Sequence, residues 1–352
     1  MSSRLPRRLV APLGVMICAA IVFQTVSPRP SDARPSFLRA TGTTFSYAGQ
    51  RVSLYGFTMY PLTRDRTGHE RRGSSWALPT FPSYIDNILN LARSARLNTV
   101  RPTDYLDGSA NWTDPVVWSN MDYLLSAARR RHMFVILDIS VYRTWLQRHD
   151  VWPYNPSDWT PFLRFVGQRY TDAPALACYA IAGEIPAPRS ATMPWNATAE
   201  QFVRFFGGVS AQLYAYDGGH HLISTGGLSY LNFDSGIPWQ SLFSLPHIDM
   251  AAVHIYSPQD RATTMPMVAS WARARRTPFV VEEFGFQQSM GDHARADAFA
   301  AMYTAGARYR ASAMIFWNIG PEVASDSYDV NPRLPRVWRV VQRYAPTMPR
   351  LH

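Results

Sequence analysis

Met133-Phe-Val-Ile-Leu-Asp138 is apolar to its last residue and closes on a carboxylate. A strand with no polar alternation is buried on both faces, which implies a parallel sheet covered by helices. The pattern returns in Leu176-Ala-Cys-Tyr-Ala-Ile-Ala-Gly-Glu184 and in Pro278-Phe-Val-Val-Glu-Glu283. A carboxylate that ends a buried strand is costly in a core and useful at the mouth of a site.

Working outward, strand and helix signals alternate. Thr44 to Gly56 reads as a hairpin turning at Ala48-Gly49-Gln50, with its second strand running on to Thr58. Further strands are predicted at Leu97–Arg101, His221–Thr225, Asp249–Ile255 and Ala313–Trp317. Helical periods lie at 85–95, 118–130, 159–170, 199–214, 265–276, 294–309 and 337–344. Eight short apolar strands, nearly all followed by a helix, predict an α/β fold: a (β/α)8 TIM barrel with a short N-terminal β-hairpin. A doubly wound open sheet is the alternative. It would often carry a Gly-rich phosphate loop after its first strand, and Tyr55-Gly-Phe-Thr-Met-Tyr-Pro-Leu62 is not one.

The apolar fraction of 47% supports a sizeable core and excludes a disordered chain. The net charge of +10 comes entirely from arginine, because the chain has no lysine. The arginines are scattered. Their short clusters, Arg129 to Arg131 and Arg273 to Arg276, fall where helices should end and cations favour the dipole. That distribution reads as a solvated surface and against nucleic-acid binding. The two cysteines, Cys18 and Cys178, cannot staple the domain, and Cys178 reads as a small core residue. With no metal-spaced Cys/His cluster, neither a metal nor an organic cofactor is expected.

Residues 1–35 form a separate N-terminal segment and 36–352 the barrel domain. Arg4, Arg7 and Arg8 precede an apolar run from Leu9 to Val26, followed by a polar, proline-containing stretch. These are the parts of a signal peptide. The run is about 18 residues, near the ~17 that span a bilayer, so an uncleaved membrane anchor competes. Either way the barrel is expected to be secreted or held outside the membrane.

In a (β/α)8 barrel the site lies at the C-terminal ends of the strands. In order those ends offer Tyr60; Arg101; Asp138 and Ser140; Glu184; Thr225; His254 and Tyr256; Glu282 and Glu283; Trp317 and Asn318. Aromatic faces stack on sugar rings, and carboxylates with Arg and His bind hydroxyls and run acid/base steps. Asp138 is assigned to barrel structure. Strand alternation turns Glu282 away from Glu283. Trp145, Trp152 and Trp195 read either as loop anchors or as subsite residues.

From Thr44 to Tyr344 the chain resembles glycoside hydrolase family 5 and its clan of retaining (β/α)8 enzymes. The resemblance rests on the ordered set Leu97-Asn-Thr-Val-Arg101, Tyr179-Ala-Ile-Ala-Gly-Glu-Ile-Pro186, Val253-His-Ile-Tyr256, Pro278-Phe-Val-Val-Glu-Glu-Phe-Gly285 and Ile315-Phe-Trp317. It implies Glu184 as acid/base and Glu283 as nucleophile, supported by Arg101, His254 and Tyr256, with Trp317 as the sugar platform; Tyr60, at the end of the first strand, is a further substrate-binding candidate. The chain departs from the family at Gly183, where an Asn that holds the sugar 2-hydroxyl is usual, and at Thr58, where a polar amide is common.

The resemblance implies a retaining endo-β-glycosidase acting on a mannan- or glucan-like polysaccharide. Glu184 is expected to hold a raised pKa, from apolar neighbours and the Glu283 charge, and the carboxyl groups to stand about 5–5.5 Å apart. The alternatives are a weak or inactive glycan-binding barrel, and an envelope transglycosylase.

Overall fold

Eight parallel strands follow one another around a single sheet: β1 (Leu54–Met59), β2 (Thr99–Pro102), β3 (Phe134–Asp138), β4 (Leu176–Ala180), β5 (Leu222–Ser224), β6 (Ala251–Ile255), β7 (Phe279–Phe284) and β8 (Ala313–Trp317). β8 pairs in parallel with β1, from Ala313↔Leu54 to Trp317↔Thr58. Between β5 and β6 the ring is drawn together by Leu228, which bridges Val253; its N–H donates to the Ala252 carbonyl at 3.0 Å. This is a (β/α)8 barrel. The computed structural model describes residues 36–64, 70–72, 74–107, 111–189, 194–231, 235–321 and 325–344. The N-terminal segment with Cys18, the side chain of Glu70, and Glu322 lie outside what is described. Among the described residues no helix is long and apolar enough to cross a membrane.

Helices α1 (Phe81–Ser94), α2 (Pro115–Arg130), α3 (Pro156–Tyr170), α4 (Ala199–Asp217), α5 (Trp239–Leu242), α6 (Thr264–Arg275), α7 (Asp292–Tyr309) and α8 (Pro335–Tyr344) follow the strands in turn. Their starts obey local chemistry. The Asp114 carboxylate accepts the Val116 N–H ahead of α2, and Thr198 with Gln201 forms a capping box on α4. α2 ends in Arg129 and Arg130 and α6 in Arg273 and Arg275, as the dipole argument requires.

Two apolar layers build the domain. The outer one packs strand residues such as Phe57, Val281 and Phe316 against the helices. The inner one fills the lower barrel with Phe134, Ile136, Cys178, Val280 and Ile315. Leu38, Phe45, Tyr47 and Val52 join it from below. They belong to a three-stranded antiparallel sheet (Arg39–Thr41, Thr44–Tyr47, Gln50–Val52) that floors the barrel. The sequence predicts only a hairpin here: Arg39–Thr41 is too short to signal itself, and Ser53 separates the hairpin from β1. Above this floor the interior turns polar, with Thr58, Arg101, Asp138, Ser224 and Glu282 all buried.

Candidate active site

β7 departs from regular alternation. Val253 faces Val281 but His254 faces Glu283, so one extra residue sits in β7, and the same irregularity shows against β8. A bulge of this kind re-aims the side chains beyond it. Val280 lies in the inner layer, and Glu282, two residues on, is buried as alternation from it requires. Glu283 is also brought to the interior, and only Phe284 returns to the outer layer. The expectation that alternation would separate the two glutamates therefore fails, because the bulge breaks the period of two. Glu282 is fully buried, and neither of its oxygens has a hydrogen-bond partner among the described residues. Burial pushes its pKa up.

Glu283 is held from two sides. Arg101 Nη1 donates to its Oε2 at 2.7 Å, and the Tyr256 hydroxyl donates to its Oε1. Arg101 Nη2 donates in turn to Asp138 at 2.6 Å. Burial works against the Arg101 charge, yet Asp138 and Glu283 outweigh it and raise its pKa above the ordinary arginine value. Asp138 is thus more than barrel structure: it is the second anchor of Arg101.

Glu184 leaves β4 with φ +50, a left-handed conformation rare for a side-chain-bearing residue. His254 Nδ1 lies 3.1 Å from Glu184 Oε1 and 3.8 Å from Glu283 Oε1, between the two carboxylates. Ser229 Oγ adds a contact to Glu184 at 3.3 Å. Burial pushes the Glu184 pKa up, but the His254 hydrogen bond and charge, with Arg101 and Arg143, bring it down to about 2. The expected raised pKa is overturned by this cationic surround. His254 itself is buried. Burial lowers its pKa, while Glu283 and Glu184 raise it, leaving it above the ordinary histidine value. Its ring occupies space that only glycine leaves. A Cβ on Gly227 would lie 1.7 Å from His254 Cδ2, and one on Gly183 3.3 Å from His254 Cε1.

Glu184, His254 and Glu283 offer donor atoms within 4.8 Å of one another. That spacing could hold a cation, and it equally suits two carboxylates sharing a proton through an imidazole. The three line a cavity of about 170 Å³ with Arg101, Asp138, Arg143 and Trp317. Tyr60 stands behind Trp317, ring centroids 4.8 Å apart, and is itself buried. So the structure brings together all seven sequence-predicted residues: five line the cavity, Tyr60 packs on Trp317, and Tyr256 is bonded to Glu283. Trp145 and Trp152 do not line the cavity. Trp145 lies within the short helix Val141–Arg148 and stacks on His149 at its end, and Trp152 anchors its loop by donating to the Asn196 carbonyl at 3.2 Å. Sequence reasoning missed Arg143, which stands on a short helix, Val141–Arg148, that directly follows β3. It missed Ser229 as well, in a loop with no periodic signal.

Residues 57–323 match the family model described as Cellulase (glycosyl hydrolase family 5). No curated protein sequence matches the chain. Among solved structures, the endo-1,4-beta-mannanase from Rhizomucor miehei is similar at TM-score 0.69 and 16% identity, covering 89% of this chain and 99% of that one. The hyperthermostable endo-1,4-beta-D-mannanase from Thermotoga petrophila RKU-1 gives 0.64 and 14%, covering 83% and 99%. The catalytic domain of the major endoglucanase from Xanthomonas campestris pv. campestris gives 0.58 and 15%, covering 88% and 99%.

Proposed function

Because the chain belongs to glycosyl hydrolase family 5 and is a glycoside hydrolase, we propose that it cleaves a β-linked, mannan- or glucan-like polysaccharide internally, with retention, through Glu283 and Glu184. The observation that carries this reading is the spacing of the two glutamates, whose nearest oxygens lie within 4.8 Å with His254 between them. Retaining enzymes keep their carboxyl groups about 5–5.5 Å apart, while inverting ones need about 6.5–9.5 Å to admit a water. The mannanase and endoglucanase neighbours motivate the choice of substrate.

Glu283 is the nucleophile. Arg101 and Tyr256 orient its oxygens and leave its charge on the side facing the sugar. Glu184 works as a pair with His254. The two groups share a proton across their 3.1 Å contact. As the glycosidic bond breaks, Glu184 passes that proton to the leaving oxygen, while Glu283 forms an ester with the anomeric carbon. Water then attacks the ester, and its proton returns to the pair. Trp317, backed by Tyr60, supplies the stacking face. The basic start and apolar run of residues 1–35 support export of the barrel, with or without a retained anchor.

The test is a panel of β-mannan, β-glucan and xylan oligosaccharides, with the anomer of the first-formed product followed by NMR. Release of the β-anomer supports the reading. Release of the α-anomer, or binding without turnover across the panel, overturns it; the latter outcome favours the glycan-binding barrel. Elongated products in place of reducing sugar would favour transglycosylation.

A further inference from the structure

We propose that Arg143 is a positioning residue that fixes Glu184 in the geometry its proton transfers require. The proposal rests on the family 5 reading above, with Glu184 as acid/base. Its starting point is the backbone of Glu184, whose φ of +50 persists only where the surroundings over-determine it.

The peptide joining Gly183 to Glu184 is gripped at both ends. Arg143 Nη1 donates to the Gly183 carbonyl at 2.6 Å, and the Glu184 N–H donates to the Gly227 carbonyl at 3.0 Å. Residue 183 has no side chain with which to hold itself. A Cβ there would already sit 3.3 Å from His254 Cε1 and 3.4 Å from the Gly227 carbonyl oxygen. The grip on this side therefore comes from another element. Among the described residues no carboxylate forms an ion pair with Arg143. A guanidinium donating to a carbonyl makes a charge-assisted bond, stronger than a neutral one.

Arg143 is itself well placed to set a distance. It stands on the helix Val141–Arg148, and the turn into that helix is pinned where the Ser140 N–H donates to Asp138 Oδ1 at 3.0 Å. Asp138 also holds Arg101, and Arg101 holds Glu283. One bonded path thus runs from Glu283 through Arg101, Asp138 and the 140–143 turn to Arg143, Gly183 and Glu184. It ties the position of the proton donor to that of the nucleophile. The Arg143 charge acts in the same direction, favouring the ionised form of Glu184 that activates water.

A positioning role predicts a loss that depends on the leaving group. The probes are aryl β-glycosides of the sugar that wild type hydrolyses, from dinitrophenyl, which departs unprotonated, to phenyl, which needs a proton. Arg143→Ala is expected to lose on the order of 10²-fold in kcat/KM on the phenyl glycoside, the scale of a small misplacement of a catalytic group. On the dinitrophenyl glycoside it should stay within ~3-fold of wild type, since no proton transfer is at stake there. Arg143→Lys, which keeps the charge without the fork, should recover part of the loss, and should serve alone if the alanine variant does not fold. Equal losses on both substrates, or none on either, overturn the proposal. Glu184→Ala runs beside them. If it shows no leaving-group dependence, the assignment of Glu184 fails, and this inference with it. If it does while Arg143→Ala and Arg143→Lys do not, the positioning role alone fails.

Discussion

Arg101 and Glu283 form an ion pair at 2.7 Å with side chains only 3% and 8% exposed, and with Asp138 on the other arm of Arg101 they compensate one another's burial. Removing one partner of such a pair strands the other charge, at a cost of about 3–5 kcal/mol. Arg101→Met strands two carboxylates, Glu283 and Asp138. It is expected to destabilise the barrel on that scale in denaturant titrations and to abolish turnover. Arg101→Lys should fold better and remain nearly inactive, because an ammonium cannot reach both carboxylates as a fork does. Full activity in the lysine variant would show that the fork is dispensable.

Glu283→Ala is expected to reduce sugar release to background. Glu184→Ala should lose ~10²–10⁴-fold on substrates with poor leaving groups. Both should keep the far-UV circular dichroism of wild type. A mechanism-based fluorinated glycoside should esterify Glu283 alone, read by peptide mass spectrometry. A label on Glu282, which is fully buried, would reverse the assignment of the two neighbours.

His254→Ala removes the largest influences that hold Glu184 down to about 2, so the Glu184 pKa must rise. On the proposed mechanism the wild-type pair gives up its last proton through a histidine whose pKa is raised, and activity is expected to fall as pH climbs through it. In the variant that proton leaves from a carboxylic acid instead. The alkaline limb of kcat/KM should therefore move to lower pH, with ~10-fold or greater loss at pH 7. An alkaline limb that stays in place would mean that His254 does not share the proton.

Gly227→Ala tests the same histidine without touching it. The new methyl would meet the ring at 1.7–2.1 Å, which no rotamer of alanine relieves. Displacement of His254 from its place beside Glu184 would relieve the clash, and the variant should then mimic His254→Ala in its pH profile. A wild-type profile would show that the loop carrying Gly227 yields instead.

Asp249 carries a prediction about stability. Burial raises its pKa from 3.8 to about 6, although the Ile223 N–H bonds it at 2.7 Å. A raised carboxyl binds its proton more tightly in the folded chain, so its contribution is present below the ordinary pKa and lost as pH rises towards 6. Asp249→Asn can keep an acceptor for the Ile223 N–H while abolishing that titration. It should flatten the pH dependence of unfolding between about pH 4 and 6 and stabilise the protein at pH 7 by up to about 2–3 kcal/mol. An unchanged slope in chemical denaturation would exclude Asp249 as its source.

Much of this molecule was legible in the sequence. Continuous apolar runs such as Phe134–Asp138 announce strands buried on both faces, and the residues that end them announce the mouth. What stayed hidden was geometry that period and composition do not encode. The bulge in β7 carries no residue signature, so alternation separated two glutamates that are both buried. The low pKa of Glu184 arises from His254, Arg101 and Arg143, contributed by three other parts of the chain. Arg143 looked like one more scattered arginine, since the eight-residue helix that presents it is too short to show a period.

The pairing of β8 with β1 joins residue 313 to residue 54 and also has a kinetic consequence. The chain's earliest barrel strand finds its second neighbour only when nearly all the rest is in place. Until then the edge of β1 and the greasy undersides of Phe45, Tyr47 and Val52 stay open to solvent or to another molecule. Such long-range closure is expected to make refolding slow and prone to aggregation. A fragment that stops short of Ala313 should accumulate as soluble aggregates, whereas the full chain, once sealed, should unfold cooperatively.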